Sequence, residues 1–392
     1  MLNTAFEPWP SFTQDEADAV KNVLLSNKVN YWTGQECREF EKEFATFSGT
    51  QYAVALANGT VALDVALKAL GIGSGDDVIV TSRTFLASAS SIVTAGANPV
   101  FADVELDSQN ISRRTIEAVL TPNTKAIICV HLAGWMCDMD PIMQLAEEKG
   151  LYIIEDCAQA HGAQYKGKPA GSIGHISAWS FCQDKIMTTG GEGGMVTTND
   201  ELLWKKMWSY KDHGKSFDSV YNKQHPAGFR WLHDSFGTNW RMMEMQAVIG
   251  RIQLQLMPEW TKQRTVHAEK IWAAFDDSPY FSVHRPSNDY VHAHYKCYVQ
   301  INEQALPSGW SRDRVMQEIN NQQVPCFSGS CSEVYLEHAF DGTSWRPVER
   351  LKHAKQLGET SLMFLVHPTL STNSIDKTIY AIQNLKTMIQ SS

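Results

Sequence analysis

The sequence lacks the features that mark membrane and secreted proteins. No uninterrupted apolar run reaches the ~18 residues that a membrane-spanning helix needs. Neither a basic segment nor an apolar core, the two parts of a secretory signal peptide, occurs in the N-terminal stretch MLNTAFEPWPSFTQDEADAV. Internal repeats and low-complexity tracts are also missing. We therefore expect a globular, cytoplasmic protein with no membrane insertion.

The sequence also lacks paired cysteines. Its eight cysteines are scattered and form no Cys-x-x-Cys pair, and Cys326 and Cys331 have no matching pair nearby. His131 and His161 have no cysteine or second histidine at metal-ligand spacing. We therefore expect reduced thiols, as in a cytosolic enzyme, and no metal site.

Positive charge is in deficit. The chain has 34 lysine and arginine residues against 43 aspartate and glutamate residues, which gives a formal net charge of −9. Binding to nucleic acid by phosphate neutralisation needs a basic surface, so we expect no nucleic-acid partner. A small anionic ligand is still compatible with this balance, because local charge can oppose the average.

The length and composition are sufficient for two domains. With 392 residues, 43% of them hydrophobic, the chain can bury a large core. Short apolar runs such as DDVIVTS and LYIIEDCAQA alternate with helix-like segments from residue 51 onward. This alternation predicts an α/β fold with a mostly parallel central sheet and helices on both faces. We predict a large domain over 1–259, including N-terminal helices, and a smaller C-terminal α+β domain over 260–392.

Caps and changes of pattern predict the helices that flank the alternating region. Ser11 or Thr13 caps a first helix, and a second helix covers about 35–48. A long apolar helix over 242–257 is followed by a polar helix over about 259–276. The predicted domain boundary falls at the start of the second of these helices.

Several chemistry-bearing residues directly follow predicted strands. In open parallel sheets, ligands bind beyond the carboxyl ends of the strands. The turn 58–60, Asp156 and the segment 180–185 all lie at such ends, so we expect them to meet at one crevice. The glycines of GIGSGDD at 71–77 follow a helix and precede a strand, the reverse of the dinucleotide fingerprint. A nicotinamide dehydrogenase is therefore set aside.

Lys185 and Asp156 are the candidates for the chemistry. Lys185 lies between the apolar strand HISAWSF and the glycine-rich turn TTGGEGG. Most lysines are solvated surface charges, but a lysine held near apolar groups can act as an amine nucleophile and form a Schiff base. Asp156 ends the apolar run LYIIED, where a carboxylate needs a cationic or hydrogen-bonding partner. The protonated ring nitrogen of pyridoxal 5'-phosphate (PLP) is one such partner.

Further positions at the same rim suit a phosphate and a flat ring. Residues 58–60 begin a helix. This helix start is either an anion site formed by backbone N–H groups or a plain helix cap. Ser180 lies five residues before Lys185 and offers a hydroxyl contact to a phosphate. Phe85 begins a helix after the second strand, and it either stacks on a flat ring or packs in the core.

The segment 214–236 is richer in polar and aromatic residues than the core. It contains Lys215, Lys223, His225 and Arg230. We interpret it as either an acceptor-binding segment or a surface loop with solvated charges.

The candidate residues fall within motifs of a known family. The stretches NGTVAL (58–63), EDCAQAHGA (155–163), SFCQDK (180–185), GEGG (191–194) and NWRMMEMQAVIG (239–250) occur in the family's order. Over nearly the whole chain, the sequence resembles the DegT/DnrJ/EryC1/StrS sugar aminotransferases. The resemblance implies a fold-type I PLP-dependent transferase that works as a homodimer with active sites at the subunit interface.

Carried over position by position, the resemblance implies roles for individual residues. Lys185 looks like the Schiff-base lysine, and Asp156 like the partner of the pyridine nitrogen. Gln159 looks like the partner of the ring oxygen, and Phe85 stands where the family places an aromatic side chain over the ring. The implied phosphate ligands are Gly59, Thr60 and Ser180, with Asn239 reaching the phosphate of the neighbouring subunit. Arg241 is left as either a structural or a carboxylate contact.

The resemblance implies amino transfer from L-glutamate to a keto sugar, for an amino sugar of lipopolysaccharide or another surface glycan. A fainter resemblance over the whole chain is to enzymes that convert 8-keto Kdo, a free acidic sugar, to 8-amino-3,8-dideoxy-manno-octulosonate. The alternative acceptor is a nucleotide-linked 4-keto or 3-keto hexose. Some relatives carry histidine instead of the lysine and dehydrate sugars, which Lys185 argues against. A non-catalytic regulator on the same fold is the remaining rival.

The chain departs from the family pattern in one loop. The family usually has TTGEGG after its lysine, whereas this chain has TTGGEGG, with glycines at both 190 and 191. We expect the extra glycine to alter the loop beside the substrate.

Overall fold

The computed structural model of the protein describes residues 5–392. The α-helices are α1 (Gln14–Leu25), α2 (Glu36–Phe47), α3 (Gly59–Leu70), α4 (Ala87–Thr94), α5 (Arg113–Glu117), α6 (Met139–Lys149), α7 (Glu201–Lys211), α8 (Phe217–Tyr221), α9 (Glu244–Phe275), α10 (Arg312–Asn321), α11 (Lys352–Thr360) and α12 (Thr372–Gln390). The strands are β1 (Tyr52–Leu56), β2 (Asp77–Thr81), β3 (Asn98–Ala102), β4 (Thr124–Val130), β5 (Tyr152–Asp156), β6 (Gln164–Tyr165), β7 (Lys168–Pro169), β8 (Ile176–Ser180), β9 (Gly194–Thr198), β10 (Phe281–Ser282), β11 (Tyr290–Val291), β12 (Cys297–Ile301), β13 (Cys326–Phe327) and β14 (Ser361–Phe364).

The central sheet has seven strands in the order β1-β9-β8-β5-β4-β2-β3. The pairs from β8 to β3 are parallel, which confirms the mostly parallel sheet predicted from the apolar runs. Strand β9 is antiparallel to both β1 and β8. The connection 181–193 after β8 contains no helix, whereas a parallel return is usually made by a helical crossover.

Helices cover both faces of the sheet, as the sequence pattern predicts. One face packs against α2, α6 and the first half of α9, and the other packs against α3, α4 and α7. Because these strands are buried on both faces, they carry apolar side chains at consecutive positions rather than at alternate ones. The arrangement leaves the carboxyl ends of the parallel strands at one edge, where a ligand can be reached by several of them.

The N-terminal helix follows its predicted cap, whereas the helix after strand β2 starts later than predicted. Thr13 rather than Ser11 is the N-cap of α1, and its backbone N–H donates to Glu16 Oε2 at 2.6 Å. The predicted helix from Phe85 begins only at Ala87, so that Phe85 lies in the preceding turn.

Helix α9 corrects the prediction of two separate helices over 242–257 and 259–276. It is one helix of 32 residues that passes through Pro258. A proline in a helix interior removes one backbone hydrogen bond and usually ends the helix. Here the N-terminal half of α9 is held from outside, by Arg251 ion pairs to two glutamates of α2 and by a hydrogen bond from Gln253 to α1. The domain boundary at 259/260 stays a prediction and lies within this helix.

The C-terminal part forms a second, antiparallel sheet. Its order is β10-β12-β14-β13, and it packs with α10, α12 and the end of α9 around a separate apolar cluster. A third small sheet, β11-β6-β7, pairs a strand of the C-terminal part with two strands that follow β5. Within residues 5–392, no helix is long and apolar enough to cross a membrane.

Replacing Phe44 with alanine should destabilise the fold. The Phe44 ring is fully buried and contacts the rings of Phe40, Trp179 and Phe181 beneath the sheet. Removing it leaves a cavity, and we expect the free energy of unfolding to fall by about 3–5 kcal/mol. Denaturant titration measures this change, with Leu25→Ala as the control, because Leu25 is 69% exposed. Equal stability of the two variants would contradict the packing described here.

Candidate functional site

Asp156 lies at the carboxyl end of β5, in the middle of the sheet, and is 6% exposed. Its Oδ2 accepts a hydrogen bond from the Ser88 hydroxyl at 2.8 Å, and its Oδ1 accepts from the Ala158 N–H at 3.1 Å. Ser88 also pairs with the Thr84 hydroxyl at 2.8 Å, which fixes its position at the start of α4. The carboxylate is therefore held in one orientation by two neighbouring elements, and it can bind a cation at this edge of the sheet.

Gln159 lies beside Asp156, in the turn after β5. Its side-chain Oε1 accepts a hydrogen bond from the Ala133 N–H, 2.7 Å away, in the turn after β4. This bond occupies the amide oxygen and leaves the amide nitrogen as the group that can donate to a ligand oxygen. The sequence motif placed Gln159 near Asp156, and the structure adds the backbone group that orients it.

The turn 58–60 opens α3 directly against the end of β8. Asn58 is the N-cap of α3, and its side-chain oxygen accepts from the Val61 N–H at 3.0 Å. A Cβ on Gly59 would lie only 2.6 Å from the Ser180 Cβ, so a glycine is required for this approach. The first N–H groups of α3, the exposed Thr60 and the Ser180 hydroxyl are thus brought together. This grouping can bind an anion such as a phosphate.

A second glycine supports the same turn from β9. A Cβ on Gly194 would lie 2.2 Å from the Asn58 carbonyl oxygen, so only glycine allows β9 to pass behind the turn. The last glycine of the motif GEGG is therefore required by structure, because backbone passes closely behind the candidate anion site at Gly194.

Lys185 lies in the connection between β8 and β9, and its side chain is half-buried. Its backbone carbonyl accepts a hydrogen bond from the indole N–H of Trp9 at 2.8 Å. Its Nζ lies 5.2 Å from the centre of the Tyr295 ring, and the Tyr295 hydroxyl donates to Asp184. An N-terminal residue and a residue of the C-terminal part thus hold this loop from two sides.

The Asp184 carboxyl is the negatively charged group next to Lys185. Burial alone would raise the pKa of the Asp184 carboxyl. The positive charge of Lys185 and the hydrogen bond from Tyr295 outweigh burial, so this pKa is lower than its usual value. Asp184 is therefore an anion near neutral pH, paired with a neutral Tyr295 hydroxyl.

The doubled glycine lies in the same connection. Gly190 and Gly191 have φ angles of +85° and +119°, which residues with a side chain rarely adopt. The Gly191 N–H donates to the Thr188 hydroxyl at 3.2 Å, and a Cβ on Gly190 would lie 2.9 Å from the Ile249 Cδ1. Both positions are therefore specific to glycine, and the effect of the extra residue on the substrate stays a prediction.

Phe85 and Asn239 lie at the rim. Phe85 is 71% exposed, so the alternative that it packs in the core is wrong, and its place over a ring stays a prediction. Asn239 is also exposed, in a segment that runs beside the turn 58–60, where the Ala57 N–H donates to the Trp240 carbonyl at 2.9 Å. An exposed position next to the anion site suits a residue that acts across a subunit interface.

Two of the four candidate substrate residues are held by one buried carboxylate. Arg241 and Lys215 both bind the buried carboxylate of Asp212, at 2.7 and 2.8 Å, which supports a structural role for Arg241. The His225 Nε2 lies 2.5 Å from the Ser219 carbonyl oxygen of its own segment, and Arg230 is exposed. The structure therefore gives no support for Lys215 as a free acceptor-binding cation, while His225 and Arg230 stay predictions.

His131 and Glu155 form a buried pair beneath Asp156. The His131 Nε2 lies 2.9 Å from Glu155 Oε2, and Cys157 lies close enough for the three side chains to hold a metal ion. However, Glu155 also accepts three backbone N–H groups of the segment 171–174. The His131 Nδ1 accepts from the Cys137 N–H. We interpret the cluster as an anchor between strand ends, because these hydrogen bonds already engage the lone pairs of His131 and Glu155.

Sequence reasoning missed Ser88, Trp9 and Tyr295. Ser88 stands in the plain small-residue run ASASS, and Tyr295 and Trp9 lie far along the chain from Lys185. The one available signal was position, because Ser88 follows the end of β2, a strand next to β4 in the sheet. The other two contacts depend on how the C-terminal part and the N-terminal segment pack on the Lys185 loop.

The arrangement fits PLP at each of its polar groups. Asp156 suits a protonated ring nitrogen, and the amide nitrogen of Gln159 suits a ring oxygen. The start of α3 with Ser180 suits the phosphate, and Lys185 suits the aldehyde. The approach of Gly59 to Ser180 is the observation that supports this fit most directly, since it forms a cradle that a side chain would fill.

Comparisons with known proteins agree with this geometry. A model of the DegT/DnrJ/EryC1/StrS aminotransferase family matches residues 10–383. GDP-perosamine synthase of Escherichia coli O157:H7 is 40% identical over 290 residues, which cover 73% of this chain and 75% of that protein. GDP-perosamine synthase of Caulobacter vibrioides is 36% identical over 381 residues, covering 96% of each chain. The X-ray structure of an aminotransferase from Psychrobacter cryohalolentis is 64% identical, with a TM-score of 0.98, and the match covers 98% of this chain and 100% of that one.

Replacing Gly59 with alanine should weaken PLP binding. The new Cβ would push the start of α3 away from Ser180, and overpacking of this kind costs about 1–3 kcal/mol, so we expect the dissociation constant of PLP to rise about 5-fold or more. Titration of cofactor-free protein with PLP, followed by absorbance, measures it. The control is Gly73→Ala, where the nearest atom would be 3.7 Å away. Unchanged affinity in the Gly59 variant would exclude the proposed phosphate site.

Proposed function

The chain belongs to the DegT/DnrJ/EryC1/StrS aminotransferase family, and we propose that this PLP-dependent sugar aminotransferase moves the amino group of L-glutamate to a nucleotide-linked keto hexose. The observation that carries this proposal is the approach of the turn 58–60 to Ser180, five residues before Lys185, at the end of a strand that pairs with the strand of Asp156. Each polar group that PLP presents has a matching side chain or backbone group there.

The relatives support the nucleotide-linked acceptor that the sequence left as the alternative. Two of them, at 40% and 36% identity, are named GDP-perosamine synthase, and that name denotes a nucleotide-linked amino sugar. This favours a nucleotide-linked keto hexose over 8-keto Kdo as the acceptor. The product would serve a surface glycan such as lipopolysaccharide, and the scattered cysteines support a cytoplasmic location.

PLP, when bound, supplies the electron sink for the chemistry and carries the amino group. The Lys185 amine would hold the aldehyde of PLP. Once free, it would take the proton from the donor α-carbon and deliver it to the C4′ carbon of the cofactor. Asp156, fixed by Ser88 and Ala158, would keep the ring nitrogen protonated. Gln159 would orient the ring through its amide nitrogen.

The anion site would bind the cofactor phosphate. Gly59, Thr60 and Ser180 would contribute from one subunit, and the exposed Asn239 would reach the phosphate of the neighbouring subunit in a homodimer. Phe85, exposed at the same rim, would cover the ring. The exposure of Phe85 and Asn239 in the single chain supports a site that a second copy completes.

Lys185→Ala should abolish both turnover and the visible absorbance of the bound cofactor, because it removes the amine that would hold the cofactor aldehyde. Amino transfer from L-glutamate is measured as release of 2-oxoglutarate. Lys262→Ala serves as the control, since Lys262 is exposed on α9. Full activity of the Lys185 variant would refute the role of Lys185 as the amine that holds PLP.

The acceptor is tested by single turnover. Protein that has reacted with L-glutamate is separated from it and mixed with a GDP-linked 4-keto hexose or with 8-keto Kdo. We expect the GDP-linked sugar to gain the amine and the cofactor absorbance to return, with little reaction of 8-keto Kdo. Preferential amination of 8-keto Kdo would overturn the nucleotide-linked acceptor. Loss of water from the sugar without amination would favour a dehydratase, and no reaction with L-glutamate would favour a regulator.

A further inference from the structure

Positive charge is concentrated next to Lys185, although the chain as a whole carries −9. Lys185 and Lys296 both place their amines near the Tyr295 ring, 5.2 and 4.8 Å from its centre. The guanidinium of Arg264 lies 5.1 Å from the centre of the Trp9 ring, whose N–H binds the Lys185 carbonyl. Three cations from the β8–β9 connection, the start of β12 and helix α9 therefore meet in one place.

Lys296 has no ion pair among residues 5–392. The carboxylate that acts on it is Asp184, which accepts the Tyr295 hydrogen bond and also faces Lys185. Burial lowers the pKa of the Lys296 amine to about 8, with Asp184 opposing the shift and Arg264 and Lys185 adding to it. One carboxylate thus balances two amines, and a positive charge is left over beside the reacting lysine.

Arg264 adds a cation that no described carboxylate neutralises. It is 1% exposed, and its Nε and Nη2 have no hydrogen-bond partner in the described part of the chain. The nearby histidine rings carry no charge of their own, because burial lowers the pKa of both His161 and His367 to about 3, helped by Lys185 and Arg264 at His161 and by Arg264 and Lys296 at His367. A buried cation without an anion is unfavourable, so an anion that arrives close by is strongly attracted.

We propose that Lys296 binds a carboxylate of the amino donor, and that Arg264 keeps the potential at that position positive. This assignment rests on the proposed function, in which a donor with two carboxylates reacts at Lys185. The cofactor phosphate does not fill the position, since its candidate site is a separate set of groups at the start of α3. The two lysine amines are at most about 10 Å apart, within the reach of one donor molecule and the cofactor.

The donor site is tested in the half-reaction of PLP-loaded protein with L-glutamate. Loss of cofactor absorbance is followed against L-glutamate concentration in wild type, Lys296→Met and the control Lys262→Met. A hydrogen bond to a charged group is worth about 1.5–3 kcal/mol, so the half-saturating concentration should rise at least about 10-fold in Lys296→Met. The control should stay within about twofold, as is usual for exposed positions. Lys296→Arg, which keeps the charge, should recover most of the loss.

The second half-reaction separates the donor from the acceptor. Amination of the keto sugar by aminated protein should proceed in Lys296→Met within about twofold of wild type, since no donor carboxylate takes part. Equal losses in both half-reactions, a loss with the nucleotide sugar alone, or unchanged L-glutamate affinity would each overturn the donor site. A wild-type protein that reacts with L-glutamate but with no keto sugar would refute the proposed acceptor and leave the donor site standing.

Discussion

The close approach of the turn 58–60 to the ends of β8 and β9 is the constraint on which the candidate site depends. It requires glycine at both 59 and 194, because a Cβ at either position would overlap Ser180 or Asn58. The approach places the start of α3 against Ser180, five residues before Lys185. Since β8 is also paired with β5, the same contact fixes the anion site, the lysine and Asp156 relative to one another.

The charge at this edge of the sheet is positive, opposite in sign to the net charge of the chain. The protein carries −9, yet Lys185, Lys296 and Arg264 gather around Tyr295 and Trp9. Neutral histidines surround them, because burial in the interior disfavours the charged imidazole. A site of this kind attracts an anionic donor or cofactor and does not require a basic protein surface.

The sequence predicted the elements of the site better than their mutual contacts. Apolar runs identified the parallel strands, and the rule that ligands bind at carboxyl ends brought together residues that are distant along the chain. The direction of β9 and the continuity of α9 through Pro258 were not predictable from local pattern, since both are set by packing between elements. Tyr295 was missed for the same reason, and Ser88 was marked only by its position after the end of β2.

In the proposed function Lys185 is the amine that holds PLP, although a second half-buried amine, Lys296, lies beside the same tyrosine. Borohydride reduction of the PLP-loaded protein followed by peptide mapping tests this most directly. We expect one reduced pyridoxyl group per chain, attached to Lys185. A modification at Lys296 or at another lysine, or no covalent attachment, would contradict it.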